Sequence, residues 1–343
     1  MNYVINEENR IRKIIEKIRE INPSKILIQS PAGLKNFAIK VSDELNNIGI
    51  PTIISANPCY GGCDVAFNEA KNINANLILH IGHSKFLSKH EVRTLYYEYH
   101  YKDFKPLENT LRKAIPLING RNIGIAVTIQ WIEMLKKTIN FLKEYGINGI
   151  IGKKCGLAQY NGQIIGCDYS TAKIIEKNID SYIVIGSIFH ALGLKLITEK
   201  NVIAIEPFIG KTLDMGDLAK KVLTQRYMKI QEFKKAKKIG ILICLKPGQK
   251  NIKMAEKLKE IIKKNNKESS LITINEIENT RLEEMNFDAY INTCCPRVSI
   301  DDQSMFKKPL LLPSELLIAL NYLEWEKTIY SLNYLHPFKS EEK

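Results

Sequence analysis

KILIQSPAGLKNFAIKVSDELNNIG, residues 25–49, reads as a short apolar strand, a polar glycine-containing loop and an amphipathic helix. The same plan returns twice. NIGIAVTIQWIEMLKKTINFLKEYG covers residues 122–146, and KIGILICLKPGQKNIKMAEKLKEIIKKNN covers residues 238–266. ILIQ, IGIAV and IGILIC are almost continuously apolar and rich in β-branched residues, as strands covered on both faces are. In the third helix Ala255, Leu258 and Ile262 recur at helical spacing and mark one buried stripe.

A second element repeats behind the first. After Cys63 comes DVAFNEAKNINANLILHIGHS, and after Cys167 comes DYSTAKIIEKNIDSYIVIGSI. Both run from Cys-Asp through a short helix with an Ala-Lys pair to a strand ending in Ile-Gly. The third unit has the matching strand in DAYINT and places its cysteines directly after it. Units of about 110 residues, each strand–helix–strand, predict an α/β fold of three related parallel-sheet, Rossmann-like domains. The expected ranges are 1–118, 119–234 and 235–343. PSELLIALNYLEWEKTIY predicts a closing C-terminal helix with Ser314 as its cap.

Composition narrows the setting. The 343 residues carry a formal charge of +13, mostly from lysine, which suits an acidic partner. No RNP-like pattern or arginine-rich arm occurs, so nucleic acid is not expected, and much of the lysine lies on solvated helix faces. The N-terminal MNYVINEENRIRKIIEKIRE is charged and has no apolar run behind it. No apolar stretch reaches the ~18 residues of a membrane span, so the expectation is a cytoplasmic protein without a membrane partner. Seven cysteines, an odd number in such a compartment, argue for metal, catalysis or burial over a disulfide framework.

In open α/β sheets ligands collect beyond the carboxyl ends of the strands. Cys63 in NPCYGGCD, Cys167 in QIIGCD and Cys295 in TCCPRVSIDD all fall in such loops. If the domains pack around a pseudo-threefold axis, the three thiolates converge on a central iron–sulfur site. The spacings match neither a zinc ribbon, nor a compact ferredoxin run, nor C-x3-C-x2-C. Cys244, inside ILICLK, reads as a core residue, and Cys155 as a loop residue. Cys59 and Cys294 lie beside the proposed ligands, and spacing alone leaves them as competitors.

ILIQSPAGL, CYGGCDVAFNEAK with LILHIGHS, GQIIGCDYSTAK with GSIFHALGL, KPGQ and NTCCPRVSIDD together resemble the archaeal diphthamide synthase family, 2-(3-amino-3-carboxypropyl)histidine synthase. The likeness runs from residue 26 to 302. It implies that each of three related domains donates one cysteine to a 4Fe–4S cluster. The family's Tyr-Gly-x-Cys-Asp falls on Tyr60 to Asp64 and selects Cys63 over Cys59; its Cys-Pro-Arg selects Cys295 over Cys294; its Leu-Gly-Cys falls on Ile165, Gly166 and Cys167. The resemblance further implies S-adenosylmethionine as co-substrate on an open iron. One electron breaks its sulfur–Cγ bond, and the 3-amino-3-carboxypropyl radical adds to C2 of a histidine of translation elongation factor 2. An electron donor and a homodimer are implied as partners.

Gln29, Gln130 and Gln249 each follow the first strand of a unit, and with His83 and Arg297 they are the candidate co-substrate contacts. No catalytic residue beyond the cluster ligands is expected. His190 lies just beyond a strand end. Asp301 and Asp302 read as caps for the next turn. Gly33 and Gly248 sit in loops that do not match a phosphate-binding motif. A 4Fe–4S dehydratase or quinolinate-synthase-like enzyme, also built on three cysteines and one open iron, is the competing reading.

Overall fold

A computed structural model describes residues 2–335. It contains three sheets, each dominated by parallel strands. The first uses β1 (Ile26–Gln29), β2 (Thr52–Ile54), β3 (Leu77–Ile81) and β4 (Arg93–Tyr97) in the order β2-β1-β3-β4. α1 (Asn2–Ile21), α2 (Lys35–Asn47) and α3 (Phe67–Asn72) accompany it, and α4 (Lys105–Ala114) follows. The second sheet uses β5 (Asn122–Val127), β6 (Asn148–Ile150), β7 (Ser181–Ile185), β8 (Asn201–Glu206) and β9 (Lys211–Asp214) in the order β6-β5-β7-β8-β9. Only β9 is antiparallel to its neighbour. Among these strands run α5 (Leu135–Glu144), α6 (Ser170–Lys173) and α7 (Ile188–Lys195), and α8 (Gly216–Phe233) leads onward.

The third sheet uses β10 (Lys238–Cys244), β11 (Glu268–Ile274), β12 (Ala289–Asn292) and β13 (Leu310–Leu311) in the order β11-β10-β12-β13. α9 (Ile252–Lys264), α10 (Asn279–Glu283), α11 (Pro296–Asp301) and α12 (Pro313–Ala319) belong to it. By contacts the chain divides into two compact units. One is Met1–Tyr99 with Lys246–Gly248; the other is His100–Leu245 with Gln249–Lys343. The second and third sheets therefore share a unit. Among the described residues no helix is long and apolar enough to cross a membrane.

The repeat is written into packing and capping as well as order. Asn76, Asp180 and Asp288 each precede the third strand of their sheet and accept hydrogen bonds from the two backbone N–H groups that start the first strand. The pairs are Ser24 and Lys25, Arg121 and Asn122, and Lys237 and Lys238. A strand entering a sheet has orphan donors, and one short acceptor satisfies both. In the second and third sheets a tyrosine of the third strand covers a glycine of the first. Tyr182 lies opposite Gly124 and Tyr290 opposite Gly240. A Cβ at either glycine would come within 2.6 Å of the ring. Tyr182 then donates to the Ala172 carbonyl and Tyr290 to that of Leu282.

Both faces of the central strands are covered. Ile26 and Ile28 of β1 meet Ile14 and Ile18 of α1 and Val41 and Leu45 of α2, while Leu27 meets Phe67 and Ala70 of α3. Ile125 and Ile183 meet α4 and α5 through Leu111 and Phe141, while Val184 faces a core that includes Leu192, Leu312 and Tyr334.

The tail departs from the expected closing helix. α12 ends at Ala319, and Asn321 turns at φ 62 before a separate short helix, Trp325–Thr328. Leu312, not Ser314, is the residue that caps α12, with Pro313 at its first position. The Ser314 hydroxyl instead donates to the Tyr334 carbonyl at 2.6 Å. Arg226 of α8 is buried beside it, 1 % exposed, against a fully buried Glu315. Its Nε donates to Glu315 Oε1 at 2.9 Å, its Nη1 to the Ser299 carbonyl at 2.7 Å and its Nη2 to the Leu310 carbonyl at 2.8 Å. Tyr334 and the Leu312 N–H complete the Glu315 carboxylate.

Removing one member of such a pair strands the other charge, which costs about 3–5 kcal/mol, whereas apolar replacement of both can be near neutral. Glu315→Gln should therefore lower the urea midpoint far more than the double change Arg226→Met with Glu315→Leu. Equal losses in the two proteins would show that the pair is not what holds α8 to α12.

Candidate iron–sulfur site

In the first unit Cys63 lies in the loop that leaves β2 and enters α3, beyond the carboxyl ends of the strands. Gln29, the last residue of β1, holds that loop. Its amide Nε2 donates to the Asp64 carbonyl at 2.7 Å, and its Oε1 accepts from the Ala66 N–H at 3.1 Å. Gln29 is 2 % exposed, so its polar ends are spent on the loop and on His80. The backbone of Cys63 is held from a second direction, its carbonyl accepting from the Gly248 N–H at 2.8 Å. Lys246 Nζ lies 3.2 Å from Asp64 Oδ2 and 4.7 Å from the Tyr60 ring centroid. A Cβ at Gly248 would meet Cys63 Cα and Cβ at 2.6 Å, so the glycine of KPGQ is required by backbone approach and not by a phosphate.

In the second unit Cys167 sits at the tip of a two-residue turn. Ile165 and Asp168 exchange backbone hydrogen bonds at 3.0 and 2.9 Å, leaving Gly166 and Cys167 at the corner. Asp168 anchors the turn, accepting from the Leu157 N–H at 2.5 Å and from the Ser170 N–H and hydroxyl at 3.0 and 2.5 Å. Cys295 caps α11, with Pro296 as the first helical residue. Asn292, at the end of β12, donates to the Cys295 carbonyl at 2.8 Å and accepts from the Cys294 N–H at 2.9 Å. Burial pushes the Cys295 thiol up, while the Arg297 charge and the helix N–H groups pull it down. Cys63, Cys167 and Cys295 are all half-buried, and no disulfide joins any cysteine among the described residues.

Arg297 stands between the Cys167 and Cys295 loops. It is 3 % exposed, its guanidinium lies 4.1 Å from the Phe189 ring centroid, and Nη2 donates to the Phe189 carbonyl at 2.7 Å and to Asp301 Oδ1 at 2.6 Å. Its Nε and Nη1 are buried with no hydrogen-bond partner among the described residues. Tyr169, buried, donates to the Gly166 carbonyl at 3.2 Å and feels the charges of Arg297, Cys167, Asp301 and Cys295. Burial raises Asp301 to about 6 even against the lowering effect of Arg297. Asp301 thus serves Arg297, and neither Asp301 nor Asp302 makes a side-chain cap to the turn that follows.

The remaining candidates lie as follows. Gln130 is half-buried in the helical turn Ile129–Met134 after β5, its carbonyl accepting from the Tyr101 N–H at 2.8 Å. Gln249 follows β10, with Oε1 3.5 Å from Cys244 Sγ. His83 is bonded through Nδ1 to His80 Nε2 at 3.0 Å. His190 shares a 2.9 Å hydrogen bond with Ser187, and burial lowers its basicity. Cys244 is buried at the end of β10, and Cys294 meets it, their contact raising the Cys294 thiol. Sequence reasoning passed over Tyr169, although it directly follows the Cys-Asp pair.

The profile of the diphthamide synthesis protein family matches residues 30–331. The chain is 33 % identical over 315 residues to the 2-(3-amino-3-carboxypropyl)histidine synthase of Pyrococcus horikoshii, covering 91 % of this chain and 90 % of that protein. It is 27 % identical to the enzyme of the same name from Methanocaldococcus jannaschii, covering 92 % and 89 %. The crystal structure of Dph2 from Pyrococcus horikoshii with a 4Fe-4S cluster superposes with a TM-score of 0.83 at 31 % identity, covering 92 % of this chain and 91 % of that one.

Gly248 and Gly33 make a matched pair for testing the Cys63 loop. Nothing lies within 4 Å of a Cβ built at Gly33, whereas Gly248 abuts Cys63. Gly248→Ala should cost about 1–3 kcal/mol by overpacking, read as a lower urea midpoint at unchanged slope. Gly33→Ala should leave the midpoint nearly where it was.

Proposed function

Because this chain belongs to the diphthamide synthesis protein family, we infer that it transfers the 3-amino-3-carboxypropyl group of S-adenosylmethionine to C2 of a histidine of translation elongation factor 2, the first step of diphthamide formation. The observation that carries this reading is the placement of Cys63, Cys167 and Cys295. Each is half-buried beyond the carboxyl ends of its own parallel sheet, in a loop pinned by side-chain hydrogen bonds.

Three soft thiolate donors suit one 4Fe–4S cluster and leave one iron without a protein ligand. Arg297 suits it too, with two buried guanidinium nitrogens that no acceptor meets among the described residues. When bound, the cluster supplies an electron and an open position for the co-substrate. Arg297 offers Nε and Nη1 to the methionyl carboxylate, and Phe189 and Asp301 hold the guanidinium in place for it. Gln130 and Gln249, half-buried after the first strands of their sheets, contact the remainder of the co-substrate. Gln29 and His83 act from behind the Cys63 loop, which Gln29 fixes.

One electron breaks the sulfur–Cγ bond, giving methylthioadenosine and a carbon radical, which bonds to the imidazole C2. Loss of the C2 hydrogen as a proton returns one electron, so the net reaction is a group transfer that releases one proton. No side chain need act as a base before the bond breaks. The proposal carries with it a cytoplasmic setting, an electron donor and a homodimer.

Anaerobic protein should hold about one 4Fe–4S cluster per chain, and Cys63→Ala, Cys167→Ala or Cys295→Ala should each remove most activity. Cys155→Ala and Cys244→Ala should keep it. Reduced enzyme with S-adenosylmethionine should yield methylthioadenosine; 5′-deoxyadenosine as the main product would overturn the mechanism.

Mass spectrometry of elongation factor 2 after reaction should show one aminocarboxypropyl group on carbon of a single histidine. With a net charge of +13 steering the encounter, apparent affinity should fall as salt rises above ~0.15 M, where the Debye length drops below about 8 Å. Modification of a tRNA base with no mark on the factor would refute the assigned substrate.

A further inference from the structure

Cys59 is not among the three proposed cluster ligands, yet it is 4 % exposed and faces the buried His80 and half-buried His83 imidazoles. Its Sγ and one ring nitrogen each of His80 and His83 lie within 4.8 Å of one another. The hydrogen bonds around Gln29 determine which nitrogens carry lone pairs. Gln29 Nε2 must be the donor to the Asp64 carbonyl, and Oε1 must be the acceptor from the Ala66 N–H. The same Oε1 lies 3.0 Å from His80 Nδ1, so Nδ1 carries the proton and Nε2 presents a lone pair. His83 Nδ1, 3.0 Å away, currently supplies that lone pair with a proton.

A histidine whose far nitrogen donates to a fixed carbonyl oxygen is the arrangement that orients imidazole ligands toward metals. We propose that Cys59, His80 and His83 form a mononuclear site for a borderline divalent metal such as Zn2+, separate from the Cys63, Cys167 and Cys295 set. On binding, the Cys59 thiol releases one proton and the neutral His83 ring moves its own from Nδ1 to Nε2 by exchange with solvent, leaving a thiolate and two imidazole lone pairs. Zinc bonds of about 2.0–2.3 Å bring such ligands to separations of roughly 3.3–3.8 Å, which asks only for small side-chain rotations. Three protein ligands leave the fourth position to a water or a small anion. The metal would tie the start of the Cys63 loop to the end of β3, and so hold that loop by a second anchor beside Gln29.

The test uses the full chain, metal-free and anaerobic, titrated with Co2+ as a spectroscopic probe. The Cys63→Ala protein is the reference, because it lacks one cluster ligand and keeps the trio. It should bind one equivalent, with visible bands of four-coordinate cobalt and a thiolate-to-cobalt band, and Zn2+ should bleach them. Adding Cys59→Ser or His83→Gln should abolish the thiolate band while far-ultraviolet circular dichroism stays unchanged. Gln29→Leu, which keeps all three ligands, should weaken cobalt binding about 10–100-fold. If Cys63→Ala binds no cobalt, or if its spectrum survives Cys59→Ser, the assignment is overturned. Because the reference protein is tested without a cluster, failure of the iron–sulfur reading would leave this result standing, and the reverse holds as well.

Discussion

The guanidinium of Arg226 is a permanent charge with no access to water, and the second unit is arranged around its need for acceptors. Glu315 meets the charge, and the carbonyls of Ser299 and Leu310 meet the remaining N–H groups. Those partners come from α12, α11 and β13, so a single side chain on α8 sets the placement of three neighbouring elements that lie 73 to 89 residues further along the chain. The Ser299 carbonyl belongs to the helix that Cys295 caps. Placement of one proposed ligand thus follows from a buried ion pair at the other end of a short helix. Tyr334 and Ser314 bring the following chain onto the same carboxylate network.

Local order was legible because parallel strands buried on both faces leave continuous apolar runs, and ILIQ, IGIAV and IGILIC became β1, β5 and β10. The returning strands β3, β7 and β12 were equally readable in LILHI, SYIVI and AYIN. Edge strands were not. β4, RTLYY, is only half-buried, and β9, KTLD, is too polar to stand out from a loop. The tail misled for a physical reason. LLIALNYLEW has helical periodicity, but Asn321 adopts a left-handed conformation that ends the helix, and Leu323 and Trp325 beyond it return to the core that already holds Leu316 and Ile318.

At the candidate site the sequence showed which loops matter, and much less of what holds them. Gln29 was readable as a polar residue after a strand, but its buried amide turns inward to Asp64 and Ala66. Gly248 invited comparison with phosphate loops, and only the fold reveals that it lies against Cys63. The link from Arg226 to Glu315 spans 89 residues and leaves no trace in local pattern. Arg297 was singled out by its position after Cys295, yet its stacking on Phe189 and its two unmet donors depend on chain more than a hundred residues away.

The third sheet carries its cysteine after β12, its third strand in chain order, where the first two carry theirs after the second, β2 and β6. In a parallel sheet every strand discharges its following loop on the same edge, so a ligand can change loops without changing edges. The architecture therefore constrains side and depth but not chain position. Each repeat can thus place its cysteine in a different loop and still keep it on the same edge of its own sheet. Asn76, Asp180 and Asp288, which lead into the third strand of each sheet, keep one role in all three while the loops around the cysteines differ.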